Sequence, residues 1–349
     1  MINRYDRHIK LESFGESGQL LLKKSKVLVI GVGGLGCAAL PYLVSSGVGT
    51  IGLMDADRVD NTNLQRQILF SEEEIGLPKV NCAINRLSKL NTEVNFISYT
   101  FDLIPENAEE IISQYDVILD CTDRFEARYL INDACVRQNK PWVFGALYKF
   151  EGQVSVFNYD LGPTYRCLFP FNIKQQMLPS CSDVGVFAPA VGVVGVTQAS
   201  EAIKVLLNLD QTLSGSLWCI DLLKMNTYTI EHNKNQKAID QIKVSSHLGI
   251  EPSDYIIDLN TEFNYEDYRW IDLRESHETP QISHKLVKAL PLSSMEHKKV
   301  NWSQMGNVVL FCASGARARK LADELQLSNV RFTDLGAEEL FIKLVKYVA

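Results

Sequence analysis

Residues 26–36 read KVLVIGVGGLG, an apolar β-branched run followed by a glycine-rich segment with the G-x-G-x-x-G spacing. A segment of helical period follows it, from Cys37 to Ser45. Glycines at a strand-to-helix turn let the backbone approach a phosphate, and the free N–H groups of the helix N-terminus favour negative charge there. The run therefore predicts a nucleotide site that contains Gly31, Gly33, Gly34 and Gly36.

An acidic residue and two cations follow this segment. Asp55 ends the next strand-like run, at the distance where a carboxylate can bind ribose hydroxyls. Arg66 lies in a polar loop and Lys79 begins a helical pattern. Two cations suit a triphosphate, whose α-phosphate gains negative charge when a carboxylate attacks it. Asp120 and Asp123, after the strand-like run Val117 to Leu119, add carboxylates at the C-terminal edge of the sheet, where a Mg²⁺ ion could be held. The glycines and Asp55 alone leave an NAD-dependent oxidoreductase open as an alternative.

Strand-like and helix-like segments alternate along the first part of the chain, which predicts βαβ units and a mostly parallel sheet. The polar stretch from Glu231 to Lys237 has no hydrophobic periodicity and indicates the start of a linker. A second, smaller α/β pattern follows. We therefore expect a first domain over residues 1–235, a linker over 236–250 and a second domain over 251–349.

Composition excludes several classes of protein. With 349 residues, 46% of them hydrophobic, the chain can form one large domain and a smaller one, each with its own core. A formal net charge of -7 disfavours nucleic acid and anionic lipid as partners. The N-terminus enters charged sequence directly, and no apolar run approaches the length of a bilayer span. We expect a cytoplasmic protein with neither a nucleic-acid nor a membrane partner.

The motifs, in this order, resemble those of the MoeB/ThiF group of ubiquitin-activating-like enzymes, which adenylate sulfur-carrier proteins. The resemblance covers about residues 1–230. It rests on RYDRH at 4–8, the glycine run at 31–36, DAD at 55–57, NLQRQ at 63–67, GLPK at 76–79, DCTD at 120–123 and YRCLFP at 165–170. It implies a Rossmann-like ThiF-type mixed sheet with helices on both faces, ATP and Mg²⁺ as cofactors, and a ubiquitin-like carrier ending in Gly-Gly as the partner.

The same resemblance implies roles for individual residues. Gly34 would approach the phosphates, Asp55 would bind the ribose and Asp123 would hold Mg²⁺. Arg7 would reach the phosphates of the neighbouring subunit, which implies a homodimer. The triphosphate would be held by Asn63, Arg66, Gln67 and Lys79, and Asp57 and Arg124 are assigned to the nucleotide site as well.

Two features depart from the family pattern. Its structural zinc is usually held by two C-x-x-C pairs, but Thr164 stands in place of the first cysteine and residues 221–237 contain no second pair. Cys167 alone cannot complete a four-ligand site, so we expect no zinc. Arg124 replaces the asparagine that commonly follows the Mg²⁺ aspartate, either as a further phosphate contact or as a surface charge.

The cysteines divide into two groups, and no two of them form a C-x-x-C pair. Apolar contexts predict small buried hydrophobes at Cys37, Cys82, Cys121, Cys135 and Cys219. Cys181 lies among small, turn-forming residues. The resemblance places it in the crossover loop, where some relatives link covalently to the carrier. Its alternative is a loop thiol without a chemical role.

Cys312 follows the apolar run Val308 to Phe311 and precedes a helical pattern. Backbone N–H groups at a helix N-terminus and the nearby Arg317 would stabilise a thiolate or persulfide anion there, and Gly315 would help to form that turn. From about residue 250 to the end, the sequence resembles the rhodanese family, with the short active loop of sulfur transferases. A buried structural cysteine or a catalytically inactive rhodanese fold is the alternative.

The combined prediction is an ATP-dependent adenylyltransferase for a sulfur-carrier protein, fused to a rhodanese-like sulfurtransferase. A cysteine desulfurase is the expected kind of persulfide donor. A non-catalytic scaffold of two binding modules is the remaining alternative. The sequence leaves the carrier open, and with it the choice between thiamine, molybdopterin and related sulfur pathways.

Overall fold

The computed structural model describes residues 4–170, 185–249, 265–279, 281–294, 299–313, 315–325, 327, 329–333, 336–337 and 340. These residues separate into two compact units, one ending at residue 249 and the other beginning at residue 265.

The first unit alternates strands and helices, as the sequence predicts. Its strands are β1 (Lys26–Ile30), β2 (Thr50–Met54), β3 (Asn95–Tyr99), β4 (Val117–Asp120), β5 (Trp142–Tyr148), β6 (Glu151–Phe157), β7 (Ser216–Asp221) and β8 (Asn226–Glu231). Its helices are α1 (Asp6–Ile9), α2 (Gly15–Lys24), α3 (Gly34–Ser45), α4 (Lys79–Leu90), α5 (Pro105–Ser113), α6 (Phe125–Arg137), α7 (Tyr165–Leu168), α8 (Ala188–Leu206) and α9 (Gln236–Val244). Short 3₁₀ turns lie at Asn61–Asn63 and Glu72–Glu74.

The strands form one sheet in the order β3-β2-β1-β4-β5-β6-β7-β8. Pairing is parallel from β3 to β5 and antiparallel from β5 to β8, so the predicted mixed, Rossmann-like sheet is confirmed. Strand order reverses between β1 and β4, and ligands of open α/β sheets bind at such a switch point. Ile30 pairs with Met54 on one side and with Asp120 on the other, so the residues after these three strands meet at one edge.

Two apolar cores cover the two faces of this sheet. Successive residues of β1 alternate between them: Val27 and Val29 belong to one core, and Leu28 and Ile30 to the other. A parallel strand buried on both faces needs a continuous apolar run, which is why KVLVI carries no polar residue after Lys26.

Residues 236–249, which the sequence assigns to a linker, form part of the first unit. Asn235 caps α9 by accepting a hydrogen bond from the Ala238 N–H, and Ile239 and Ile242 pack on Val136. The Arg137 guanidinium then donates to the carbonyl oxygens of residues 242, 245 and 247. Ile239 and Ile242 are an i, i+3 apolar pair within a polar stretch, which is a weak sequence signal for a helix. Their packing against Val136 of α6 explains why this segment folds as a helix of the first unit.

The second unit has a four-stranded parallel sheet in the order β10-β9-β11-β12. Its strands are β9 (Arg269–Asp272), β10 (Val287–Ala289), β11 (Val308–Phe311) and β12 (Val330–Phe332), its helix is α10 (Ala316–Leu325), and 3₁₀ turns lie at Tyr265–Asp267 and Trp302–Gln304. The central β11 is fully buried between two apolar clusters. The predicted smaller α/β domain is therefore present.

Across the residues that the structure describes, no helix combines the length and the apolar character that crossing a bilayer requires.

Candidate active sites

The glycine-rich turn lies between β1 and α3, at the switch point of the large sheet. Gly31 adopts a φ of 94°, and a Cβ atom there would lie 2.6 Å from the carbonyl oxygen of Cys121. A Cβ at Gly36 would collide with the carbonyl oxygen of Gly31, and one at Gly34 would lie 2.6 Å from Val191. Glycine is therefore required at three of the four predicted positions, because neighbouring backbone or the α8 side chain occupies the space. At Gly33 only an ordinary contact with Gln67 would form.

Asp55 ties the end of β2 to this turn. Its Oδ2 accepts a hydrogen bond from the Val32 N–H at 2.7 Å, and its Oδ1 accepts one from the Asp57 N–H at 2.8 Å. Burial raises the pKa of this carboxyl group, and nearby Lys79 opposes that shift. The carboxylate predicted to bind ribose thus lies against the glycine-rich turn.

Lys79 begins α4 with a side chain that is only 6% exposed. Its Nζ contacts Asp57 Oδ2 at 2.7 Å, while the Asp57 side chain is 72% exposed. Arg66 is half-buried, and its guanidinium donates to the Thr62 carbonyl at 3.0 Å. Its Cγ lies 3.7 Å from the position that a Cβ would take at Gly34. Both predicted cations therefore lie at the switch-point edge. Lys79 pairs there with a carboxylate, and Arg66 donates to a backbone carbonyl.

Gln67 presents a buried side-chain acceptor beside the glycine-rich turn. The residue is 4% exposed, and its side-chain Oε1 is buried with no hydrogen-bond partner among the described residues. Its Nε2 would lie 3.7 Å from a Cβ at Gly33. A buried acceptor without a partner is costly, so its presence beside a nucleotide-type turn is consistent with a donor supplied by a ligand. Asn63, by contrast, donates to Thr62 Oγ1 at 3.2 Å.

The third strand at this edge, β4, ends in Asp120, which is completely buried. Its Oδ1 accepts hydrogen bonds from the N–H and the hydroxyl of Thr122, and Arg128 Nε lies 3.5 Å from its Oδ2. Asp123 is exposed. Arg124 pairs with Asp102 at 3.1 Å, so the structure of the chain alone gives it a carboxylate partner.

Sequence reasoning missed Arg128 and Gln198. Gln198 Nε2 donates to the Asp120 carbonyl at 2.6 Å, and a Cβ at Gly145 would overlap the Gln198 amide. Both side chains lie on helices without a recognisable motif, and only the folded chain brings them into contact with Asp120 at the end of β4. The one signal in the sequence was a glutamine within the largely apolar α8.

Two further predicted residues have different outcomes. Arg7 lies exposed on α1. Cys181 lies outside the described residues.

In the second unit, Cys312 directly follows β11 and is fully buried. Gly315 adopts a φ of 77° immediately before α10, and its carbonyl accepts from the Arg319 N–H. Arg317 donates two hydrogen bonds of 2.6 Å to the two carboxylate oxygens of Glu278. Hydrogen bonding to Glu278 raises the pKa of Arg317, and the neighbouring Cys312 adds to that shift. Cys312, Gly315 and Arg317 are thus brought together as predicted.

Comparison with known proteins accounts for the first unit. The ThiF family model matches residues 5–240. This chain belongs to the ThiF family. The matched range contains every described residue of the switch-point site.

Curated relatives of this ThiF-family chain divide into two types. It is 43% identical to the sulfur carrier protein adenylyltransferase of Thermus thermophilus over 242 residues, which cover 68% of this chain and 89% of the relative. It is 34% identical to the adenylyltransferase and sulfurtransferase MOCS3 of Xenopus laevis over 379 aligned positions, covering 98% and 83%. Against MOCS3 of Drosophila sechellia the match is 46% over 220 residues, and the chain spans about half of that relative's length, 49%. These names favour the adenylyltransferase prediction over the NAD-dependent oxidoreductase.

Solved structures show the same fold. Escherichia coli MccB with ATP superposes with a TM-score of 0.59 and 24% identity, covering 67% of this chain and 73% of that one. Another crystal structure of the same enzyme, with MccA-N7isoASN, has the same TM-score and 25% identity. The likeness concerns the fold of the ThiF unit.

Cys167, the one cysteine present where the resemblance would place a zinc site, makes several contacts through its sulfur. Cys167 Sγ accepts from the Thr164 N–H at 3.4 Å and from the Asn235 N–H at 3.2 Å. Thr164 Oγ1 lies 3.4 Å from the same sulfur. No cluster of three or more His, Cys, Asp or Glu side chains suited to a metal occurs within the described ranges. Cys167 thus links α7 to the start of α9.

The remaining described cysteines of the first unit are buried, as predicted: Cys37, Cys82, Cys121, Cys135 and Cys219. Burial raises the pKa of Cys37 to about 12 and also raises the pKa of Cys121 and Cys135. A thiol held neutral in this way is a poor nucleophile, so these cysteines contribute packing.

Proposed function

We propose that this ThiF-family chain adenylates the C-terminal glycine of a ubiquitin-like sulfur-carrier protein with ATP, and that its second unit supplies sulfur through Cys312 to form a thiocarboxylate. Family membership and the names of the Thermus and Xenopus relatives support the first activity. The Xenopus relative is named for both activities, and its match extends over 98% of this chain, including the second unit.

The observation that carries the adenylation proposal is the meeting of glycines, cations and an unsatisfied acceptor at one switch point. The register of β1, β2 and β4 places Gly31, Asp55 and Cys121 at the same edge. Lys79 and Arg66 reach this edge from α4 and the loop before it. Such a set binds a polyanion next to a sugar, which is the chemistry of a nucleoside triphosphate.

Each residue then has a distinct part in the reaction. Asp55 binds the ribose, and Gln67 Oε1 accepts a hydrogen bond from the nucleotide. Lys79 and Arg66 stabilise the charge that develops when a carboxylate oxygen of the carrier attacks the α-phosphorus and pyrophosphate leaves. Bound Mg²⁺ would neutralise phosphate charge, and the exposed Asp123 would hold it.

Sulfur transfer uses the second unit. The Cys312 thiolate takes the outer sulfur of a donor persulfide, and the donor thiolate leaves. The resulting persulfide sulfur attacks the carrier's acyl carbon, and AMP leaves. A second thiol then attacks the Cys312 sulfur and releases the thiocarboxylate, which leaves a disulfide for an external thiol to reduce. As a covalent relay, Cys181 would first displace AMP to form a thioester with the carrier, and the persulfide sulfur would then displace the Cys181 thiolate instead of AMP.

The wider setting follows the same proposal. The persulfide donor is a protein such as a cysteine desulfurase, and the active form is a cytoplasmic homodimer in which Arg7 completes the neighbouring subunit's site. Support for the dimer is that Arg7 is exposed on a short N-terminal helix, where a partner can reach it.

Two glycine variants test the nucleotide site. Gly36→Ala places a Cβ against the Gly31 carbonyl, whereas Gly192→Ala on α8 meets nothing within 4 Å. With the Gly-Gly-ending proteins of the source organism as carriers, Gly36→Ala should abolish pyrophosphate–ATP exchange and Gly192→Ala should retain it. Equal exchange in both variants, or none in the wild type with any carrier, would refute adenylation at this turn.

A further inference from the structure

Two guanidinium–carboxylate pairs lie beside the loop that carries Cys312. Arg317 makes its bidentate contact with Glu278, and Arg274 donates from Nε and Nη2 to Asp272 at 2.9 and 2.7 Å. Asp272 pairs with Phe311, the residue before Cys312. Arg274 is also close enough to Glu278 to help lower the pKa of that carboxyl group.

The charges of these four side chains sum to zero. Solvent screens these charges weakly, because Arg274 is 4% exposed and the side chains of Arg317 and Glu278 are 29% and 23% exposed. An additional charge in the site is therefore poorly compensated. Hydrogen bonding to Arg317 lowers the pKa of Glu278 to about 2, so the carboxylate stays ionised throughout the physiological range. Glu278 is held in place by the Glu275 N–H, which donates to its Oε1 at 2.7 Å.

A small dianion gains little from such a site. Thiosulfate carries two negative charges and would need a hydrogen-bond donor such as the Arg317 guanidinium. Both Nη atoms of that guanidinium already donate to the carboxylate oxygens of Glu278. A persulfide carries at most one negative charge on its sulfur, so it depends less on a free cation.

We propose that Glu278 is a positioning residue that makes the Cys312 site selective for persulfide donors over thiosulfate, by neutralising Arg317 and holding it beside the sulfur. The inference rests on the proposed sulfurtransferase function. In either reaction the Cys312 thiolate attacks the sulfane sulfur and keeps it; the leaving group is sulfite from thiosulfate and a thiolate from a persulfide.

The first test uses the full chain, with sulfur loading on Cys312 followed by intact-mass spectrometry and with thiosulfate and cysteine persulfide as donors. Wild type should load faster from cysteine persulfide. Glu278→Gln frees one positive charge, so the KM for thiosulfate should fall and its second-order loading rate should rise by about tenfold or more. Loading from cysteine persulfide should change much less.

Two variants separate charge from structure. Glu278→Asp keeps the charge and should restore the wild-type preference. Glu275→Gln is the matched control, because the Glu275 carboxylate accepts a hydrogen bond from the Ser293 hydroxyl at 2.6 Å and does not pair with Arg317. It should leave the loading rates from both sulfur donors unchanged. A wild type that prefers thiosulfate, or a Glu278→Gln enzyme with equal changes for both donors, would overturn the proposal.

A second readout does not depend on sulfur transfer. Iodoacetate carries a negative charge and iodoacetamide does not, but both must reach the same buried thiol to alkylate Cys312. The ratio of their rates therefore reports the local charge and is independent of how often the thiol becomes accessible. Glu278→Gln should raise the iodoacetate-to-iodoacetamide ratio several-fold, and Glu278→Asp should not. A raised ratio in a chain that transfers no sulfur refutes the proposed function but supports the role of Glu278; an unchanged ratio refutes that role.

Discussion

The two sites of this chain treat positive charge in opposite ways. At the switch point, Lys79 contacts the carboxylate of Asp57, whose side chain is 72% exposed, and among the described residues Arg66 donates only to a backbone carbonyl. Beside Cys312, Arg317 donates from both Nη atoms to Glu278, and Arg274 donates from Nε and Nη2 to Asp272, while the buried Arg274 Nη1 has no hydrogen-bond partner among the described residues. The first arrangement can yield its cations to an incoming polyanion. The second keeps its cations engaged.

This difference matches the two proposed reactions. Adenylation builds up charge on phosphate oxygens, so it benefits from cations that exchange a solvated carboxylate for a phosphate. Sulfur transfer moves one sulfur atom between thiolates with little change in charge, so a neutral surround is sufficient. The comparison predicts that the two activities respond to separate sets of substitutions.

The largest expected effect is the loss of sulfur transfer in Cys312→Ala. Cys312 lies at a strand-to-helix turn beside Arg317, whereas burial raises the pKa of Cys121 at the turn after β4, so without Cys312 the carrier should acquire no thiocarboxylate from a persulfide donor, while pyrophosphate–ATP exchange stays at the wild-type rate. Mass spectrometry of the carrier reports the first result and isotope exchange the second. A wild-type yield of thiocarboxylate without added sulfide would mean that the second unit is not the sulfur source.

Removal of a cation from the switch point should have the converse effect. Lys79→Ala, Arg66→Ala and Asp123→Ala should each lower exchange by about a hundredfold or more, because each removes a group that stabilises transition-state charge or its metal. Lys89→Ala is the matched control, since Lys89 is exposed on the same helix as Lys79. Sulfur loading of Cys312 should not change. Undiminished exchange in all three variants would contradict the site.

Mixing of inactive subunits measures the contribution of Arg7. Arg7→Ala and Lys79→Ala chains, each inactive alone, should recover up to about a quarter of wild-type exchange when mixed, because half of the dimers are mixed and each then has one complete site. Subunit exchange is verified by native mass spectrometry. No recovery among proven mixed dimers would place Arg7 outside the neighbouring site.

The ion pair of Glu278 should make the second unit sensitive to acid. A carboxylate whose pKa is lowered to about 2 in the folded state contributes stability that is complete above its ordinary pKa and is lost as the pH falls toward 2. The contribution is about 1–2 kcal/mol after screening. The hydrogen-exchange protection factors of Val308–Phe311, which are corrected for the intrinsic pH dependence of amide exchange, should therefore fall between about pH 4.5 and pH 2. Glu278→Gln should flatten that response, and a response of unchanged steepness would contradict the assignment.

The smallest expected effect concerns Cys167. Elemental analysis should find no stoichiometric zinc, because the donors around this sulfur are backbone N–H groups and a hydroxyl. Cys167→Ser should lower the unfolding free energy by about 1 kcal/mol or less, since thiol hydrogen bonds are weak. A zinc ion in each chain, or a loss several times larger, would show a metal centre.

Sequence patterns predicted the elements that depend on neighbours in the chain. KVLVI is a strand because its residues are apolar and β-branched, and Gly31 and Gly36 follow it because the turn requires them. The residue pattern assigned Asp55 and Lys79 to one nucleotide site, and the resemblance added Asp123. The register of β1, β2 and β4 explains why Asp55 lies at the same edge of the sheet as the glycine-rich turn. The segment over 236–244 was misassigned because Ile239 and Ile242 gain their meaning only from contact with Val136.

The sequence by itself determined the order of strands and helices, the glycine-rich turn and the cysteine that follows β11, because these features rest on periodicity and on backbone conformations that few residues adopt. Only the tertiary structure decided that Gln67 Oε1 is buried with no partner among the described residues and that Glu278 pairs with Arg317, 39 residues away in the chain. The physical reason is that burial, desolvation and ion pairing depend on which distant residues share a volume. Neighbours in the sequence do not specify which residues surround a side chain; the packing of the sheets and helices does.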